Sequence, residues 1–90
     1  SILDAVADYF QVSLEALKGR SRDHKVTQAR HIAIYLVREK TTCGLQDLGH
    51  LLGNRDHSTV LRGHRKIADQ ISTNASVKRS VDEILATFSG

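Results

Sequence analysis

Most of the chemistry this chain can offer sits in six consecutive residues, Arg55-Asp56-His57-Ser58-Thr59-Val60. Asp56, His57, Ser58 and Thr59 are all hydrogen-bonding types, and they open a helical run that continues to Ile71. An imidazole N–H can donate to a purine or thymine acceptor. A carboxylate accepts from a cytosine amino group, a hydroxyl serves either role, and a threonine methyl packs on a thymine methyl. Such a cluster at the start of a helix suits direct reading of base edges in a major groove. Helix caps use the same residue types, so the alternative is that Asp56 is an N-cap with Ser58 and Thr59 filling the first turn. The two readings are compatible, because a capping carboxylate keeps a second oxygen to present.

Other chemistries fit poorly. Asp56, His57 and Ser58 are the types of a nucleophilic triad, but consecutive helical residues point about 100° apart and form no relay. The sequence has no G-x-S-x-G and no G-x-x-x-x-G-K-[ST] phosphate loop. His24 and His31 are seven residues apart, as are His50, His57 and His64. Two helical turns separate such pairs by roughly 10 Å, too far for one metal ion. Neither an enzyme nor a metal protein is expected.

The elements that position the cluster can be read from the apolar spacing. Leu45, Leu48, Leu51 and Leu52 mark a short helix that stops at Gly53. After a tight turn a second helix covers about 56–73, with Val60, Leu61, His64, Ile67, Ala68 and Ile71 on its inward stripe and Arg62, Arg65, Lys66 and Asp69 elsewhere. Two helices so joined form a helix-turn-helix, which aims the second helix's N-terminal residues at bases. Upstream, residues 2–10 read as a helix with Ile2, Val6 and Tyr9 or Phe10 inward, and Ser13 caps a short helix over 14–18. Residues 19–26 lack apolar periodicity and read as a basic loop. Thr27 caps a helix over 28–40, with Ala29, Ile32, Ala33, Leu36 and Val37 inward and Arg30 and Arg38 facing away. Ser76 or Ser80 starts the last helix, whose stripe is Val77, Val81, Ile84, Leu85 and Phe88. With no proline and no strand-like alternation, the fold expected is an all-α compact bundle of about six helices, one domain over 1–90.

Composition supports this frame. Cys43 is the sole cysteine, which excludes an internal disulfide. One free thiol and no signal-like N-terminus fit a reducing cytosol, and no apolar run is long enough to span a membrane. The net charge of +3 is unevenly spread. Residues 1–17 carry −3, whereas residues 18–66 hold eleven bases against four acids. That asymmetry points to a polyanionic partner for the middle section, against the alternative of a merely solvated basic face. An arginine on the basic loop can enter a minor groove, where narrow A·T-rich DNA has enhanced negative potential. Arg20 and Lys25 in the same loop suit generic phosphate contact. Arg30, His31, Arg38, Arg55 and Arg62, with Leu45 and Gln46 at an open helix N-terminus, complete the set that could hold phosphates.

The Arg55–Val60 run, followed by Arg65-Lys66-Ile67, closely resembles the signature of the DNA-binding C-terminal domain of DnaA, the bacterial chromosomal replication initiator family. The resemblance runs from about Leu14 to Ile71 and implies a Trp-repressor-like helix-turn-helix. It also implies monomeric binding to short asymmetric A·T-rich boxes at a replication origin, and at some promoters, in the cytoplasm. Ungapped alignment on the signature places Arg22 on the minor-groove arginine, and gives base reading to Asp56, His57, Ser58 and Thr59. In the family an ATP-binding domain, with its Mg, precedes this one. The missing phosphate loop then implies that ATP and Mg belong outside this chain, and residues 1–18 become connector helices. That connection has been linked to acidic phospholipids, but the −3 charge on residues 1–17 argues against a membrane role. Four positions depart from the usual pattern. Asn54 stands where a second glycine is common, Ser58 where threonine is more usual, and Ala29 and Gln46 where prolines are common. Two other readings stay open: a transcription regulator or transposase-associated module with this domain, or a basic helical module that docks an acidic protein.

Overall fold

The computed structural model describes residues 1–89 of the chain. They form six helices, α1 (Ile2–Phe10), α2 (Leu14–Lys18), α3 (His24–Lys40), α4 (Leu45–Leu51), α5 (His57–Ile71) and α6 (Ala75–Ser89). The all-α expectation holds, with no strand among the described residues.

The central element is α3, because its apolar residues recur often enough to bury most of its circumference. Val26, Ala29, Ile32, Ala33, Ile34, Leu36 and Val37 are all inside, and α5 and α1 pack on it most extensively. Asp23 begins this helix four residues before the expected Thr27 cap, its Oδ1 accepting from Lys25 N at 2.9 Å and Val26 N at 3.4 Å. Of that early turn only Val26 reaches the core, so apolar periodicity could not reveal it. The basic loop is therefore shorter than 19–26, and Lys25 stands in the first turn of α3.

The remaining helices seal the faces of α3. Ser13 caps α2 as expected, accepting from Ala16 N at 3.0 Å, and Leu17 is fully buried. On α1 the inward residues are Leu3, Val6 and Ala7, while Phe10 packs partly buried against the core. Tyr9 lies outward, with its hydroxyl donating to the Glu83 carboxylate of α6. Neither Ser76 nor Ser80 starts α6. Asn74 does, its Oδ1 accepting from Ser76 N at 3.0 Å and Val77 N at 3.2 Å. Val77, Val81 and Ile84 are buried there, whereas Phe88 is 46% exposed. On α5 the buried arc is Val60, Gly63 and Ile67. Leu61 and Ala68, expected inside, are exposed, because each follows a buried residue by one position and so lies about 100° round the helix.

The connection from α4 to α5 sets the geometry of the motif. Gly53 (φ 78°) and Asn54 (φ 61°) both take the left-handed conformation, which reverses the chain in the fewest residues. The Arg55 N–H then donates back to the Gly49 carbonyl at 2.8 Å. A side chain at position 49 would put its Cβ 2.0 Å from the Arg55 carbonyl oxygen, so the two backbones meet there only because Gly49 has none. Leu48, Leu52 and Val60 fill the space beneath, each fully buried.

Candidate nucleic-acid interface

The first turn of α5 is held by its own cap. Asp56 has extended backbone (φ −73°, ψ 162°), and its Oδ1 accepts from Thr59 N at 2.8 Å and from Ser58 Oγ at 3.0 Å. The Thr59 backbone N–H, followed by the Ser58 and Thr59 side chains, draws the Asp56 carboxyl down to a pKa of about 2. The capping alternative is thus real, yet the bonds from Thr59 N and Ser58 Oγ both fall on Oδ1, and the Asp56 side chain is exposed. His57 and Ser58 are exposed, and Thr59 is half-buried with its Oγ1 accepting from Arg62 Nη2 at 3.4 Å. His50 Nδ1 and Asn54 Oδ1 are 3.1 Å apart, tying the last turn of α4 to the turn. Between them, Gln46, His50, Asn54, Arg55, Asp56 and His57 line a shallow cleft. Hydrogen-bonding groups with little freedom therefore face solvent at one helix start.

The basic loop leaves the domain beside this turn. Arg55 donates from Nη1 to the Lys18 carbonyl at 3.3 Å, and also to the carbonyls of Leu52 and Gly19. Gly53 lies against the same Lys18 carbonyl. Arg20, Arg22 and Lys25 are all exposed.

The residues expected to hold phosphates fall into two groups. Arg62 and Arg38 are exposed, and Arg38 Nη1 donates to the Cys43 carbonyl at 3.2 Å, just ahead of α4. Gly44 offers α4 no side-chain cap, in line with the open N-terminus expected at Leu45 and Gln46. Gln46 is exposed and Leu45 half-buried.

The second group points inward. Arg30, expected to face away, is 6% exposed. Its Nε donates to Leu17 O at 2.7 Å, Nη2 to Ala16 O at 3.0 Å and Nη1 to Ser21 O at 3.4 Å. A charged residue on a helix normally faces water. Here the last carbonyls of α2, of which Ala16 O otherwise accepts only from Gly19 N at 3.2 Å, draw the guanidinium inward. Arg55 is half-buried for the same reason. Burial lowers the pKa of both arginines; Arg20 adds to this at Arg30, and Arg30 and then Arg20 at Arg55. His31 is half-buried too, its pKa lowered by burial first, then by Lys66, Arg30 and Arg55. It lines a polar groove with His24, Gln28, Lys66 and Gln70. Lys66 stands four residues after Arg62, on the same face of α5.

A short turn between α4 and α5, with an exposed polar first turn on the second helix, defines a helix-turn-helix domain. Residues 1–67 match the family described as "Bacterial dnaA protein helix-turn-helix". The chain is 44% identical over 84 residues to the "Chromosomal replication initiator protein DnaA" of Roseiflexus castenholzii, covering 93% of this chain and 18% of that protein. Proteins of the same name from Chloroflexus aggregans and Lacticaseibacillus casei are each 41% identical, covering 90% and 92% of this chain and 17% and 18% of theirs. The chain belongs to the DnaA helix-turn-helix family and spans about a fifth of the length of these curated relatives.

Proposed function

We propose that this chain binds double-stranded DNA sequence-specifically, at short A·T-rich origin boxes, in the initiation of bacterial chromosome replication. The observation that carries the reading is the capped, solvent-facing turn Asp56–Thr59, with the arginine-bearing loop emerging beside it. In this reading α5 enters the major groove. His57, Ser58, Thr59 and the second oxygen of Asp56 read base edges, and Arg22 enters the adjacent minor groove. Arg62, Arg38, Arg20, Lys25 and the open start of α4 hold phosphates and set the register. The chain works as a monomeric reader in the cytoplasm and does no catalysis, and any ATP and Mg would act outside it.

The test is selection of bound sequences from a random duplex pool, followed by titration of the selected box against a scrambled duplex at fixed salt. A common box, bound at least tenfold tighter than the scrambled duplex, is expected. Equal, weak binding to both would instead favour a module whose basic face docks an acidic protein. Arg22→Ala should penalise boxes with A·T pairs beside the major-groove site, and a uniform loss on all sequences would reduce Arg22 to a phosphate contact.

A further inference from the structure

The last carbonyls of α2 are unusually crowded with cationic donors. Arg30 reaches the carbonyls of Ala16, Leu17 and Ser21, and Arg55 those of Lys18 and Gly19. The two forks come from different places, one from the middle of α3 and the other from the residue just before the α5 cap. Gly53 closes the same junction, since a Cβ there would lie 2.0 Å from the Lys18 oxygen. Neither arginine has a carboxylate within ion-pair distance among the described residues. A generic role in stability would be met more simply by one acid–base pair, without two like charges drawn together.

The carbonyls gripped here begin the segment that carries Arg22. We propose that Arg30 and Arg55 are positioning residues: by holding the end of α2 they fix where the Arg20–Asp23 loop leaves the domain relative to the first turn of α5, so that Arg22 and His57 engage one duplex together. The inference rests on the DNA reading above and deepens it. It moves Arg30 and Arg55 from phosphate contacts to the setting of the angle between two grooves. A fork is needed because one planar guanidinium donates to several carbonyls at fixed angles, which a lysine ammonium does not reproduce.

Arg30→Lys and Arg55→Lys keep the charge and remove the fork, and both are to be tested in the whole 90-residue chain. Two readouts separate the junction from the function. The first, on the free protein, is amide hydrogen exchange at Gly19 and Asp23, whose N–H groups donate to Ala16 O and Ser21 Oγ at the two ends of the loop. It should accelerate by roughly tenfold or more if the fork restrains the loop. The second is affinity for the selected box with its A·T minor-groove flank, against the same box with that flank changed to G·C. The preference for A·T should shrink to that of Arg22→Ala, and Arg22→Ala should add nothing in the double variant. Binding to the G·C-flanked duplex should fall much less than binding to the A·T-flanked one, through the Arg20 phosphate contact in the same loop.

Unchanged exchange in both lysine variants would overturn the junction, whatever the DNA results. Equal loss on both duplexes with a shallower salt slope would overturn it in favour of direct phosphate contact. If the parent chain itself shows no preference between the duplexes, the proposed function fails, while the exchange data still decide whether the junction holds the loop. Should Arg30→Lys fail to fold by circular dichroism, the half-exposed Arg55 carries the test alone.

Discussion

Replacing Gly49 with alanine is the most direct probe of how α4 and α5 are joined. The added Cβ would stand 2.0 Å from the Arg55 carbonyl oxygen and 3.6 Å from a Val60 methyl. The first distance involves backbone, so α4 and the turn must part by more than an ångström. Overpacking of this kind costs about 1–3 kcal/mol. Separation also weakens the Arg55 N–H to Gly49 O bond of 2.8 Å. Such bonds contribute ~0.5–1.5 kcal/mol. Alanine's better helix propensity offsets ~1 kcal/mol of this. The net loss is then about 1–3 kcal/mol, a fall in melting temperature of roughly 5–20 °C for a domain of this size. Differential scanning calorimetry measures it, and binding to the selected box reports whether α5 has swung relative to α4. A Gly49→Ala protein that melts at or above the parental temperature would refute the close approach of the two backbones at Gly49 and Arg55.

Further perturbations test the core, the reading turn and its cap. Leu48 is fully buried between the two helices of the motif, and Leu48→Ala should cost ~2–5 kcal/mol in urea unfolding; a parental midpoint would mean the core is misassigned. His57→Ala should lose ~1–3 kcal/mol on the preferred box and little on random DNA, while Arg62→Ala should weaken both alike and reduce the salt slope by about one ion. Identical behaviour of the two variants would dissolve the division between reading and anchoring. Asp56, with its carboxyl pKa lowered to about 2 from 3.8, adds stability that is fully present above pH 4 and disappears as pH falls through about 2. Acid unfolding of Asp56→Asn beside the parent should converge at the low end of that window, and a constant offset down to pH 1.5 would contradict the cap.

What the sequence made legible follows the physical signal each feature leaves. The range of α1 is legible in its apolar spacing, that of α2 in the Ser13 cap and the following Gly19, and the helix-turn-helix in the helical spacing of Leu48 and Leu52 before Gly53 and of Val60 and Ile67 after it. The start of α3 was hidden by its composition. Asp23, His24 and Lys25 look like loop, and only Val26 behind them touches the core. The outer limit of the α5 stripe is not legible at Leu61 and Ala68, which are exposed, since an apolar type says nothing of which edge of the arc it occupies. The inward turn of Arg30 leaves no such signal. Its acceptors lie 9 to 14 residues earlier in the chain, a tertiary relation that no local spacing displays. At the candidate site the polar turn was plain from residue types alone, while the pairing of Arg55 with the end of α2 required the fold.

The gathering of Arg20, Arg30 and Arg55 around the end of α2 has a thermodynamic corollary. Like charges held so close repel, and dissolved ions damp that repulsion over distances of about 10 Å at 0.1 M. Added sodium chloride should therefore toughen the unliganded domain against heat, while the same ions compete with it for a polyanion. Thermal resistance and DNA occupancy would then move in opposite directions across a single salt titration.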